Sequence, residues 1–212
     1  MKTYIRSIIL LIAFLFTSFA YASATDDLVT LLNGITSMQA NFVQTGYTSR
    51  GKGTQKSYGR MSMQRPGKFR WDVSKPIPQI IIANQTRLWI YDPDLEQVTI
   101  RSLQKAAGES PALLLSHDNS KLEESYVINT MTSDKPAWQW FALKPKQKDN
   151  MFEAIELGFN NHQIQEMRLR DNLGHKTVIQ FQNIKTNIAL ASSLFNFKPS
   201  AKIDVIDETR KK

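Results

Sequence analysis

Gly59-Arg60-Met61-Ser62-Met63-Gln64-Arg65-Pro66-Gly67-Lys68-Phe69-Arg70-Trp71 reads as two strands folded about a tight turn. Side chains alternate across a strand, so Met61, Met63 and Arg65 share one face of the first strand, and Phe69, Trp71 and Val73 share one face of the second. Arg65-Pro66-Gly67 is the turn, because proline removes a backbone donor and glycine accepts positive φ. Methionine fills irregular space and tolerates varied shapes, so the Met61 and Met63 face suits either an ordinary core or a promiscuous apolar site. Arg65 bears on that choice. A guanidinium on an apolar face needs partners, since a lone buried charge is very costly. It either bonds backbone carbonyls of covering helices or sits solvated at the turn.

Strand signals continue on both sides of this stretch. Asn41 to Tyr47 reads as a strand, Arg50 to Gly53 as the turn after it, and Thr54 to Gln64 as a longer strand. Gln79 to Ala83 is an almost unbroken apolar run, which fits a strand covered on both faces. Arg87 to Tyr91 and Glu96 to Arg101 follow after short turns, a spacing typical of an antiparallel meander. Later strands are expected at 124–130, 137–144, 152–159, 164–170 and 176–183, with Asn160-Asn161-His162 and Asn172-Leu173-Gly174 as hairpin turns. Leu194 to Lys198 and Ile203 to Ile206 are late, short apolar segments.

Helices are few. One opens at Thr25 as cap, with Asp26 and Asp27 in its first turn, and carries Leu28, Leu31, Leu32, Ile35 and Met38 on one face across Gly34. A helical interruption divides the meander. Leu103 to Ala107 ends at Gly108, and Ser110 then caps a second short helix with Pro111 at its first position, running through Ala112, Leu113, Leu114 and Leu115. Three consecutive leucines cannot all face one side, so this helix should touch apolar surface over a wide arc, and the two short apolar helices together look like a lid. The fold class is therefore mainly β (α+β): an incomplete antiparallel β-barrel closed by an α-helical lid over an apolar cavity.

The N-terminus sets the compartment. Lys2 and Arg6 precede an apolar run from Ile8 to Phe16, and the small residues of Ala20-Tyr21-Ala22 and Ala22-Ser23-Ala24 follow. That is a secretory signal peptide over residues 1–24, cleaved after Ala22 or Ala24, ahead of a single domain over 25–212. The apolar run is shorter than the roughly 20 residues a spanning helix needs. The chain has no cysteine, so it has no disulfide, no thiol nucleophile and no lipidated N-terminal cysteine. Its 27 basic and 19 acidic residues give +8, and loss of Lys2 and Arg6 leaves +6. Nucleic acid is an unsuitable partner outside the cytoplasm, whereas an anionic membrane or an acidic docking protein suits such a surface.

Catalytic signatures are missing. There is no G-x-x-x-x-G-K-[ST], no G-x-S-x-G and no H-E-x-x-H, and His117, His162 and His175 lack ligand spacing. No cofactor, metal site or catalytic residue is expected, and a pocket without such groups points to binding.

The quoted stretch resembles the hallmark of the LolA family of periplasmic lipoprotein carriers, which has the form G-x-[LM]-x-[VM]-x-R-P-x-x-F-x-W. Met38-Gln39-Ala40-Asn41-Phe42-Val43-Gln44 resembles the family's F-x-A-x-F-x-Q. Asn84-Gln85-Thr86-Arg87-Leu88-Trp89-Ile90-Tyr91-Asp92-Pro93 resembles D-G-x-x-L-W-x-Y-x-P, with Asn-Gln in place of Asp-Gly. Glu96-Gln97-Val98-Thr99 resembles E-Q-[AV]-T, the segment from Ser110 to Leu115 resembles the lid helix, and Leu194 to Pro199 resembles a late F-x-F-x-P strand. The resemblance implies a monomeric periplasmic chaperone that collects acylated lipoproteins from an inner-membrane lipoprotein-releasing ABC complex and delivers them to the outer-membrane receptor LolB. By position, it implies that Arg65 locks the lid, that Phe69 serves cargo transfer, and that Met61, Met63, Phe69, Trp71, Leu113, Leu114 and Leu115 line the cargo site. LolB itself shares the fold but is a lipoprotein, which the missing cysteine argues against. A half-barrel sensing module of the periplasm and a secreted hydrolase are the competing readings.

Overall fold

Ser23 caps a helix, α1 (Ala24–Asn33), through a reciprocal capping box with Asp26. The computed structural model describes residues 23–103, 111–116, 119, 122–133, 135–147 and 151–209. Residues 1–22 of the expected signal peptide, residues 104–110 and His117 lie outside the described residues. The cap lies two residues before the expected Thr25, because Ser23 Oγ accepts from the Asp26 amide while the Asp26 carboxylate accepts from the Ser23 amide.

Twelve strands form one sheet: β1 (Ser37–Tyr47), β2 (Gly53–Gln64), β3 (Lys68–Lys75), β4 (Gln79–Ala83), β5 (Arg87–Asp92), β6 (Gln97–Ser102), β7 (Tyr126–Met131), β8 (Trp138–Pro145), β9 (Phe152–Asn160), β10 (Gln163–Asp171), β11 (Lys176–Thr186) and β12 (Asp204–Asp207). Their order is β12-β6-β5-β4-β3-β2-β1-β11-β10-β9-β8-β7, and the sheet stays open between β12 and β7. The two meanders join at the centre, where β1 pairs with β11. Register shifts in β1, β2 and β10 mark bulges that bend the sheet.

The expectation of a wholly antiparallel sheet fails at one edge, where β12 runs parallel to β6. The chain reaches that edge by crossing the outer face after β11, not through a hairpin, and a crossing of that kind permits parallel pairing. Leu194 to Lys198 is likewise not a strand. A 3₁₀ turn, Ser192–Phe195, carries Phe195 into a buried position, and Arg70 Nη1 holds the Leu194 carbonyl at 3.3 Å.

Alternation along β4 and β5 explains the two apolar layers. Ile81, Ala83, Leu88 and Ile90 face the inner layer, while Ile82, Trp89, Ile80 and Tyr91 face an outer one with Val98 and Ile100. Phe197 and Ile203 of the crossing segment cover that outer layer, with Phe197 set 5.0 Å from Tyr91. The reading of Gln79 to Ala83 as a strand covered on both faces therefore holds.

Two boundaries move. Met38 belongs to β1, and α1 stops at Gly34. Tertiary contacts end the helix there: Asn187 donates Nδ2 to the Gly34 carbonyl and its Oδ1 accepts from Thr36 N and Oγ1. In the interruption, Pro111–Ser116 is a 3₁₀ helix, not an α-helix, and a second short α-helix, α2 (Leu122–Ser125), leads into β7. Glu124 therefore lies in α2, ahead of the strand.

Candidate functional site

Cross-strand register assembles the inner apolar surface in rows. Met63 stands opposite Met38 on one side and Phe69 on the other, and Phe69 in turn faces Ala83, which faces Leu88. The next row runs Ala40, Met61, Trp71, Ile81, Ile90. Met61, Met63, Phe69 and Trp71 are thus neighbours on one concave face, all buried. The second meander adds Phe141, Leu143, Leu157, Phe159, Met167, Ile179 and Phe181 to the same cluster.

Three rings stack within it. Phe42 lies on Trp71 at 3.7 Å between centroids, and Phe69 stands 6.1 Å from Trp71 on a nearly parallel plane. Gly59 makes the Phe42 position possible: a Cβ there would overlap the Phe42 ring and the Asp72 carbonyl. The first glycine of the quoted stretch therefore has a packing role. Strand alternation through Met38, Ala40 and Phe42 is the signal that would have placed Phe42 at this site.

Short segments cover the concave face where a sandwich would use a second sheet. Leu28, Leu31, Leu32 and Ile35 come from α1 and its exit, and Leu113, Leu114 and Leu115 from the 3₁₀ helix. All three of these consecutive leucines are buried, as their pattern requires. Polar ties hold the covers at their ends. The Gly67 amide donates to the Ser116 carbonyl at 2.7 Å, and Asn119 Nδ2 donates to Asn33 Oδ1 at 3.0 Å. Arg65 is half-buried at the rim. Its Nε donates to the Ile35 carbonyl at 3.0 Å and its amide to the Thr36 carbonyl at 2.9 Å, which pins the exit of α1 to the β2–β3 turn.

The side chains of this cluster are apolar, and Glu166, the buried charged residue among those described, pairs instead with Arg168 at 2.6 Å. What the cluster offers a ligand is apolar burial. Two clefts among the described residues, of about 250 and 500 Å³, are lined mainly by residues that alternate with the core positions, such as Glu156, Arg168 and Lys176 in one and Asn41, Arg60 and Asp72 in the other, so neither is the apolar cavity expected under a lid. They lie on the outer face.

Comparison with known proteins agrees with this arrangement. Residues 33–198 match the family model described as outer membrane lipoprotein carrier protein LolA. An outer-membrane lipoprotein carrier protein of Chromobacterium violaceum is 41% identical over 187 residues, covering 88% of this chain and 89% of that one. Its counterpart in Pseudomonas paraeruginosa is 39% identical over 195 residues, covering 91% and 93%. Among solved structures, a LolA superfamily protein from Nitrosomonas europaea aligns with a TM-score of 0.50 at 12% identity, covering 83% of this chain and 99% of that one. An uncharacterized conserved protein from Thermus thermophilus aligns at 0.56 and 12% identity, covering 88% and 100%, a likeness of fold alone.

Proposed function

The chain belongs to the LolA family of outer membrane lipoprotein carrier proteins, and from that premise we propose that it works in the periplasm as a monomeric, non-enzymatic chaperone. It takes acylated lipoproteins from an inner-membrane ABC release complex and hands them to the outer-membrane receptor LolB. The observation that supports this most is an uncharged apolar concave face covered by short, end-tied segments. A cover of that kind is displaceable, whereas a second sheet would not be.

The energetics fit the task. At about 0.8 kcal/mol per buried CH₂, three acyl chains carry tens of kcal/mol of apolar exposure in water. The acyl chains take the place of Leu113, Leu114 and Leu115 over Met61, Met63, Phe69 and Trp71. Because cargo and cover compete for one surface, the leucines regained on closing offset part of the cost of release. Phe69 lies under the cover, where it touches cargo until transfer, and Arg65 holds the cover's edge closed when the carrier is empty.

Cleavage after Ala22 suits this chain better than cleavage after Ala24, because it leaves Ser23 to cap α1. Incubating the purified mature chain with spheroplasts tests the carrier role. Acylated lipoproteins should appear in the supernatant bound to it. Their failure to appear, under conditions in which the Chromobacterium violaceum relative releases them, would sink the reading.

A further inference from the structure

The sheet has two edges, and they are defended differently. β12 has four residues, begins and ends with aspartate, and is followed by Glu208, which pairs with Arg101 at 3.0 Å. β7, Tyr126–Met131, has six residues and contains no charge and no proline. Edge strands normally carry such guards, because their free N–H and C=O groups recruit other chains. Among the described residues nothing pairs with the outer side of β7.

The position of this edge matters as much as its composition. Tyr126 and Ile128 pack against the inner apolar cluster, whereas Val127 is 47% exposed on the opposite face. α1 lies beside β7, so this strand forms the rim where the cover meets the sheet. A polypeptide attached to something held in the interior and leaving between cover and sheet passes along β7.

We propose that β7 pairs with the extended polypeptide that follows the acylated residue of the cargo, adding it to the sheet as a thirteenth strand. The proposal rests on the carrier reading above. Main-chain pairing reads no side chains, which suits a carrier of many different sequences. The acyl chains anchor the peptide at the rim, and a short tether gives it an effective concentration on the order of millimolar, so a weak edge is sufficient. The pairing adds register and orientation to a site that otherwise offers only apolar burial.

Hydrogen exchange on the full mature chain tests this with two probes. One is a tripalmitoylated cysteine followed by a ten-residue neutral peptide, and the other is tripalmitoyl-cysteine amide without a tail. Native mass spectrometry first establishes loading. With both probes loaded, exchange at 126–131 should slow several-fold for the tailed probe alone, with no change at β12. Equal exchange for the two probes overturns the pairing while leaving the carrier reading intact. Protection that rises with protein concentration in the absence of lipid assigns the edge to a second copy and also overturns it. If neither probe loads, the carrier reading itself fails.

Discussion

Gly59 and Arg65 show what a single position contributes here. Gly59→Ala forces a methyl group into the Phe42 ring and the Asp72 carbonyl, and overpacking of this kind costs about 1–3 kcal/mol. Thermal unfolding should register that loss, with Phe42 and Trp71 fluorescence and ring-current signals shifted as their stack opens. Arg65→Leu removes the donor to the Ile35 carbonyl, so under the proposed function the closed state loses stability relative to an open, loaded one. The variant should keep its cargo and fail to deliver it. Transfer to LolB at the wild-type rate would show that Arg65 does not hold the cover. The facing of Met61, Met63, Phe69 and Trp71 was legible from alternation. The Gly59–Phe42 fit was not, because the two residues meet across strands through a register that local sequence does not state.

At the level of elements, the sequence located most strands to within one or two residues and erred where distant contacts intervene. Helical spacing alone extends α1 to Met38, yet Asn187, far along the chain, takes the backbone groups of Gly34 and Thr36 and stops the helix. Asn187→Ala should cost about 1–3 kcal/mol for the donors and acceptors left unpaired, and should speed amide exchange at residues 34–36. The late strand that the resemblance implies at Leu194 to Pro199 is absent for a similar reason, since the segment buries Phe195 and packs Phe197 onto the outer layer without a ladder partner. The β10–β11 hairpin carries a pH dependence. Burial alone would raise the Asp171 carboxyl, but hydrogen bonds from His175 and from the Leu173 amide hold it below the usual carboxylate value. A carboxyl lowered on folding stabilises above its unfolded pKa of about 3.9, and that contribution is lost as pH falls through the folded value. The melting-temperature gap between wild type and Asp171→Ala should therefore be widest near neutral pH and shrink below about pH 4.

As a whole molecule, the chain is a sheet with two apolar faces treated unequally. The crossing segment covers the outer face of β4 to β6 and is fastened at its far end by β12. The inner face is covered by α1 and the 3₁₀ leucines, whose polar ties lie at their ends. Under the proposed function, the outer face stays shut and the inner one exchanges its cover for acyl chains. Composition and motif order pointed to this architecture. The parallel edge and the outer strap were illegible because they depend on where the chain passes after β11. Native mass spectrometry of the protein purified from a periplasm tests the exchange most directly. The account predicts one chain bound to one protein bearing acyl chains, with Leu113 to Leu115 newly exposed to exchange. Bound proteins that remain after their acyl groups are removed, or cargo held while those leucines stay fully protected, would contradict it.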